Sequence, residues 1–259
     1  MRGLVALALV GAGLTAVGAS PASAVEVASC TTTPVVAHRG ITDHHIENSR
    51  GAVQAAFDAD AHAEVDLREL SDGRVVLMHD HTLARTTTGS GNVANKTARQ
   101  IRALSLDDGQ PVPFAAPILR MVRDDAAAHM ILDLKALGPV GQSNVRDLID
   151  DYRIESRVEA ISRDEALIAG FRRQNPTITT YLITDDIPSV EVAARNGGAH
   201  VYPQLITQSW RDEMRAQNVP VSGRIDDTPE GWDAAIAAEV TSVMSNSVAG
   251  YRQHCSQSM

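Results

Sequence analysis

Short β-like runs alternate with helix-like segments along most of the chain, and this alternation restricts the fold more than any other feature. The runs are Pro34 to His38, Ala63 to Leu67, Met130 to Leu134, Arg157 to Ser162, Thr177 to Thr184, His200 to Gln204, Val219 to Ile225 and Thr241 to Asn246. Between them lie segments of helical spacing: Ser49 to Ala59, Val145 to Tyr152, Asp164 to Gln174, Ile187 to Asn196, Thr207 to Gln217 and Thr228 to Glu239. Asp164, Ser189, Thr207 and Thr228 stand where an N-cap is wanted, and Gly197-Gly198 closes one helix. Strands alternating with helices make parallel β-α units, and eight such units are the arithmetic of an α/β fold closed as a (β/α)8 TIM barrel. An open doubly wound sheet is the alternative, but no Gly-rich phosphate fingerprint follows the first run.

One segment breaks the alternation. The run Glu64 to Leu70 is followed by Ser71-Asp72-Gly73 and then by Arg74 to His79. So short a connection cannot make a parallel crossover, so the two runs form a β-hairpin turning at Asp72-Gly73. Folding there pairs Leu70 with Val75 and Asp66 with His79. A small insertion after strand two, over about residues 68–129, follows from this reading. Within it, Phe114, Ile118 and Leu119 are the candidates for an exposed apolar rim, with packing down onto the barrel as the equal alternative, and Thr86 to Gly91 reads as a mobile rim rather than a phosphate-binding loop.

The two ends carry different information. Residues 1–24 have a basic start at Arg2, an apolar stretch from Leu4 to Ala19, a break at Ser20-Pro21 and the small-residue pattern Ala22-Ser23-Ala24. They read as a cleaved signal peptide, leaving residues 25–259 as one domain. Lipid attachment at Cys30 is the rival, and Glu26 and the distance from the apolar stretch argue against it. Cys30 and Cys255 are the only cysteines. In a secreted, extracellular protein they are expected to form a disulfide at the bottom of the barrel, worth about 4–5 kcal/mol in the chain-entropy account. A net charge of −9 argues against a nucleic-acid partner. No further segment is long and apolar enough for stable membrane insertion, and a monomer is expected.

Chemistry in such barrels sits at the C-terminal ends of the strands. Strand one delivers His38 and Arg39 there. Glu64 and Asp66 share one side of strand two, and Asp133 and Lys135 share one side of strand three, while the hairpin returns His79. Three carboxylates at one depth repel unless a cation joins them, and oxygen-only ligation suits Mg²⁺ or Ca²⁺. Two histidines, two cations and one such metal are the parts that hydrolysis of a phosphodiester uses: charge neutralisation on the non-bridging oxygens, and one proton taken while another is given.

The segments HRG at 38–40, ENS at 47–49, EVDL at 64–67, SDGRVVLMHDHTLARTTTGSG at 71–91 and LDLK at 132–135 resemble the glycerophosphodiester phosphodiesterase family. The resemblance is specific between about residues 35 and 135. It implies a TIM barrel with an insertion after strand two and a divalent metal. His38 and His79 then correspond to an acid–base pair, Glu64, Asp66 and Asp133 to metal ligands, Arg39 and Lys135 to phosphate contacts, and Glu47 to a residue behind them. The substrate implied is a small glycerophosphodiester, split to glycerol phosphate and an alcohol. The related phospholipase D toxins share the plan and imply an alternative: a lyase on lysophospholipid or sphingomyelin that releases a cyclic phosphate. A non-catalytic secreted binding barrel is a further alternative.

The chain departs from the family pattern in places. Asp133 stands where the family usually has glutamate, as in the toxin branch. On the last two strands, Ser222-Gly223-Arg224 and Ser245-Asn246 replace the family's usual Trp-Thr and Thr-Asp. The substrate side of the pocket is therefore unusual, and Tyr181, Trp210 and Arg224 are residues whose roles the sequence leaves open. His44 and His45 read as part of a solvated loop within reach of substrate, and His81 as an exposed neighbour of the site, whereas nothing in the sequence assigns a role to His62, His129, His200 or His254.

Overall fold

The computed structural model describes residues 29–257, so the expected signal peptide at 1–24 lies outside the described residues. Eight parallel strands close into a barrel: β1 (Val35–Ala37), β2 (His62–Glu69), β4 (Met130–Ala136), β5 (Val158–Ser162), β6 (Thr179–Ile183), β7 (Ala199–Val201), β8 (Val221–Gly223) and β9 (Val243–Ser245). A further strand, β3 (Val75–Leu77), pairs antiparallel with β2. Closure comes from β1, which pairs with β9 on one side and β2 on the other. β2 is much longer than β1. Only His62 and Ala63 of β2 pair with β1, and the upper part of the same edge, Leu67 to Glu69, is taken by β3. Without β3 that edge would leave backbone groups unpaired beside the barrel mouth.

The helices are α1 (Arg50–Asp58), α2 (Ala98–Ile101), α3 (Ala115–Asp124), α4 (Pro139–Tyr152), α5 (Glu165–Gln174), α6 (Val190–Arg195), α7 (Gln208–Ala216), α8 (Pro229–Ala237) and α9 (Val248–Gln257). Each expected cap accepts a backbone N–H: Asp164 from Leu167, Ser189 from Val192, Thr207 from Trp210 and Thr228 from Gly231. Such a cap contributes about 1 kcal/mol. Strand β4 shows how the layers separate. Met130, Leu132 and Leu134 join the core between strands and helices, whereas Ile131 faces the barrel interior with Val36, Ile161, Tyr181, Ile183 and Met244.

The insertion has its own small core, with Leu70, Val76, Met78, Leu83, Val93, Ile101 and Leu106 packed together. It bears on three readings of the sequence. The hairpin register is one residue tighter than expected: Leu67 pairs with Leu77 and Glu69 with Val75, and Met78 rather than His79 donates to the carbonyl of Asp66 at 2.9 Å. The shift puts Val76 and Met78 into the insertion core, which the alternative register would deny them. Secondly, Ile118 and Leu119 are no rim. They are each 1% exposed on α3, the helix that completes the crossover from β2 to β4. Thirdly, the loop read as a mobile rim is anchored at its start: Thr86 and Thr87 are buried, and Thr87 bridges to Leu106 and donates to the carbonyl of Leu83 at 2.7 Å, while Thr88, Ser90 and Gly91 are exposed.

Cys30 and Cys255 form a disulfide across a sequence separation of 225 residues. Cys255 lies within α9, and Tyr251 one turn earlier reaches the carbonyls of Cys30 and Thr33. The bridge therefore fastens the last helix to the segment entering β1.

Candidate active site

The first strand ends in an abrupt turn. Arg39 and Gly40 both take left-handed backbone, with φ of 61° and 81°. Gly40 has no alternative there, because a Cβ would stand 2.5 Å from the backbone of Ala52 in α1. The turn aims the backbone N–H of Arg39 at Oε2 of Glu64, 2.8 Å away, and releases His38 into the mouth. Asn48, also left-handed at 60°, grips Asp66 twice: its amide donates to Oδ2 at 2.7 Å, and its carbonyl accepts the Asp66 N–H at 2.9 Å.

Glu64, Asp66 and Asp133 are 1%, 0% and 6% exposed, and each offers an oxygen within 4.8 Å of the others'. At about 4 Å and an effective dielectric of ~20, each pair of like charges repels by about 4 kcal/mol. Burial, aided by the two aspartates, pushes the carboxyl of Glu64 well above its usual range, and burial raises Asp133 too. Lys135 lies between two of the three, 2.5 Å from Asp133 Oδ2 and 3.1 Å from Asp66 Oδ1. One ammonium does not satisfy the set. Oε1 of Glu64 is buried without any hydrogen bond, and Oδ1 of Asp66 has only the lysine's charge. An orphaned carboxylate oxygen in an all-oxygen cluster is what a hard divalent cation fits.

The two histidines are held by different partners. His38 Nδ1 lies 2.8 Å from Oδ1 of Asn246, whose amide donates to Asp227 Oδ2 at 2.7 Å. That donation turns the Asn246 carbonyl toward His38, so Nδ1 carries the proton and Nε2 is left bare in the neutral ring. Burial lowers the pKa of His38. His79 instead sets Nδ1 2.8 Å from Oδ1 of Asp80, and Arg68 pins its carbonyl at 2.6 Å. Arg85 connects Asp80 to Glu47, and Glu47 in turn accepts from Arg39. These hydrogen bonds hold Asp80 below the usual carboxylate range; Glu47 is lowered as well, against its own burial, by Arg85 and Arg39. Glu47 thus braces the two loops from behind the cavity.

His38, Arg39, Glu64, His79, Asp133 and Lys135 surround one cavity of about 200 Å³. Asp66 is close by, against Lys135 and Arg39. Several participants were passed over in the sequence: Asn48, Asp80, Arg85, Asp227, Asn246 and His200. For Asn48 and Asp80 the signal was adjacency to the motifs. For Asn246 the signal was its place in the departure from the family pattern on the last strand, and for Asp227 there was none short of the fold. Of the residues left open, Arg224 lines the cavity, Tyr181 is buried in the barrel interior, and Trp210 packs in α7 with its N–H on Pro188.

Comparison with known proteins places this geometry. A glycerophosphodiester phosphodiesterase of Bacillus altitudinis is 26% identical over 166 residues, covering 60% of this chain and 68% of that protein. The crystal structure of a glycerophosphodiester phosphodiesterase from Agrobacterium tumefaciens superposes with a TM-score of 0.73 at 23% identity, covering 83% of this chain and 96% of the other. An Oleispira antarctica phosphodiesterase, solved in complex with the product sn-glycerol-3-phosphate, superposes at 0.73 and 16% identity over 88% of this chain and 99% of its own. The model of the Glycerophosphoryl diester phosphodiesterase family matches residues 38–182, a span that opens on His38 and takes in every carboxylate of the cluster. The chain belongs to that family and is a phosphoric diester hydrolase.

Proposed function

We propose that the protein is an exported, metal-dependent hydrolase of small glycerophosphodiesters, yielding glycerol phosphate and an alcohol. The observation that carries this reading is the meeting, around one cavity, of a buried carboxylate trio with two histidines of different hydrogen-bond character. Glu64, Asp66 and Asp133 would hold a divalent ion, Mg²⁺ or Ca²⁺. Once bound, it supplies charge neutralisation at a non-bridging phosphate oxygen. Lys135 and Arg39 add positive charge beside the same oxygens. His38, kept neutral by burial and bare at Nε2, takes a proton from the attacking water, whose oxygen stays on the glycerol phosphate. His79 gives a proton to the departing alkoxide, with Asp80 fixing its ring. A binding barrel without catalysis has no use for this paired arrangement.

The cavity favours a headgroup-sized diester over a lipid. About 200 Å³ is below the usual ~300–1,000 Å³ of drug-sized ligand sites. Among the described residues only Val140 and Leu205 are large apolar side chains left exposed, so no apolar rim awaits an acyl chain. The disulfide fits an oxidising compartment and supports export, as the sequence of residues 1–24 suggests.

Phosphorus NMR of the purified protein with glycerophosphocholine and lysophosphatidylcholine tests the reading, each with Mg²⁺, with Ca²⁺ and with chelator. Metal-dependent glycerol phosphate, absent from His38→Ala, is the expected result. A cyclic phosphate from the lysolipid alone would replace the hydrolase reading with the lyase.

A further inference from the structure

The cavity has a second charged wall. Arg163 after β5 and Arg224 after β8 both line it, on the arc of the barrel away from β1 and β2. Asp185, after β6, bridges them at 2.8 Å from Arg163 Nη1 and 2.7 Å from Arg224 Nη1. Arg224 is nearly buried, donates also to the carbonyl of Thr184 at 2.9 Å, and lies 4.0 Å over the ring of Tyr202. Its guanidinium is thus fixed through Nη1 and one face. No hydrogen bond occupies its Nε or Nη2 among the described residues.

Charge decides what this wall can receive. Two guanidinium groups face one carboxylate, leaving one positive charge, and Asp185 is itself two-thirds exposed and screened by water. On the other wall, Arg39 and Lys135 face three carboxylates, while Glu47 and Asp80 behind them are answered by Arg85 and Arg68. A divalent ion there reverses the balance to one positive charge, which the diester phosphate itself matches. The Arg163 side is left with a charge that the phosphate does not answer. His200, also on the cavity and held neutral with its pKa down at about 3 by burial, adds none. Nor does the wall suit a quaternary ammonium, which is recognised by aromatic faces. Among the described residues no Phe, Tyr or Trp lines the cavity, and Tyr202 has a face covered by Arg224.

We propose that Arg163 and Arg224, held together by Asp185, form a subsite for a negative charge on the alcohol arm of the diester. The preferred substrates then carry a carboxylate or a second phosphate on that arm instead of a choline. Arginine forks are the side chains best matched to both anions. The inference rests on the hydrolase reading above and names the substrate class of the same site.

The test uses four esters of glycerol phosphate with a divalent cation present: 2-carboxyethyl, 2-phosphonooxyethyl, 2-hydroxyethyl and choline. Turnover is followed by kcat/KM, and binding of the intact esters by calorimetry in His38→Ala protein. We expect the two anionic esters to exceed the choline ester by ten-fold or more in both readouts, the scale of one charge-assisted contact. Arg163→Gln should shrink that ratio to about three-fold or less, and Asp185→Asn should widen it. Two shifts of opposite sign are not the mark of a damaged fold. Whichever anionic ester leads identifies the arm. Equal ratios in wild type and both variants, or a preference for choline, would overturn the subsite while leaving the hydrolase intact. Charge-selective binding without turnover of any ester would uphold the subsite and remove the hydrolase reading instead.

Discussion

Asn246 presents its side-chain carbonyl to His38 Nδ1 at 2.8 Å, from the first residue after β9, the strand that closes the barrel, 208 residues later in the sequence. The amide end of Asn246 is held by Asp227, so the carbonyl cannot turn away without losing that bond. His38 is thereby fixed in the one neutral form that leaves Nε2 free to accept a proton.

Replacing Asn246 separates orientation from contact. Asn246→Ala should lower kcat by about 10–100-fold with a smaller change in KM, the usual scale for a group acting through another. Asn246→Asp places a carboxylate on Nδ1 and favours the charged ring. The base proposed for His38 acts only when neutral, so the acid-side loss of activity should then begin at higher pH than in the wild type. A pH–rate profile that does not move would show that Asn246 does not set the state of His38.

Metal binding should stabilise the fold and compete with protons. Glu64 and Asp133 are held above their usual pKa by burial and mutual repulsion, so the empty trio retains protons that a cation must displace. Apparent affinity should therefore rise with pH. At a hundred times Kd the gain is about 2.7 kcal/mol. Thermal melts with Mg²⁺ or Ca²⁺ at two pH values, against Asp66→Asn, check both claims. A pH-independent shift, or an equal shift in the variant, would place the ion elsewhere.

His200 should make the protein lose stability in acid. Burial depresses its pKa to about 3, so the folded chain refuses a proton that the unfolded chain takes up near 6.5. The unfolded state binds more protons throughout that window, and stability accordingly rises with pH from about 3 to about 6.5. One such group contributes a slope of at most about 1.4 kcal/mol per pH unit. Urea titrations at several pH values should show a steeper acid loss in the wild type than in His200→Gln. Parallel curves would assign the acid sensitivity to other groups.

Gly40→Ala should damage the fold through the site. A left-handed alanine costs about 1–2 kcal/mol, and its Cβ would meet the backbone of Ala52, which has no flexible end to yield. A loss of about 3 kcal/mol or more is expected in denaturant unfolding, with activity falling as Arg39 is displaced from Glu64. Wild-type stability in this variant would mean that α1 moves freely, contrary to the packing around Ala52.

Much of this was legible in the sequence for local reasons. Leu132-Asp133-Leu134-Lys135 announces a strand with one apolar face and one charged face, and a period of two places both charges on one side. Ser189 and Thr207 announce helix starts by their hydroxyls. The carboxylate trio could be assembled because each member lies within a few residues of a strand exit.

Other features had no local signature. The hairpin register turned on whether Val76 and Met78 would find a core, and that core is made by Leu83, Val93 and Ile101 further along the chain. Ile118 and Leu119 look the same in sequence whether they face solvent or seal α3 onto the barrel. Asn246, Asp227, Arg163 and Arg224 reach the site only because closure brings β5, β8 and β9 round to the mouth that β1, β2 and β4 share. The sequence by itself determined the alternation, the caps and the chemical parts of the site, since these follow from neighbours within a few residues. Only the tertiary structure decided the tautomer of His38 and the charge of the far wall. Both depend on side chains that meet across a closed ring of strands, where distance along the chain carries no information about distance in space.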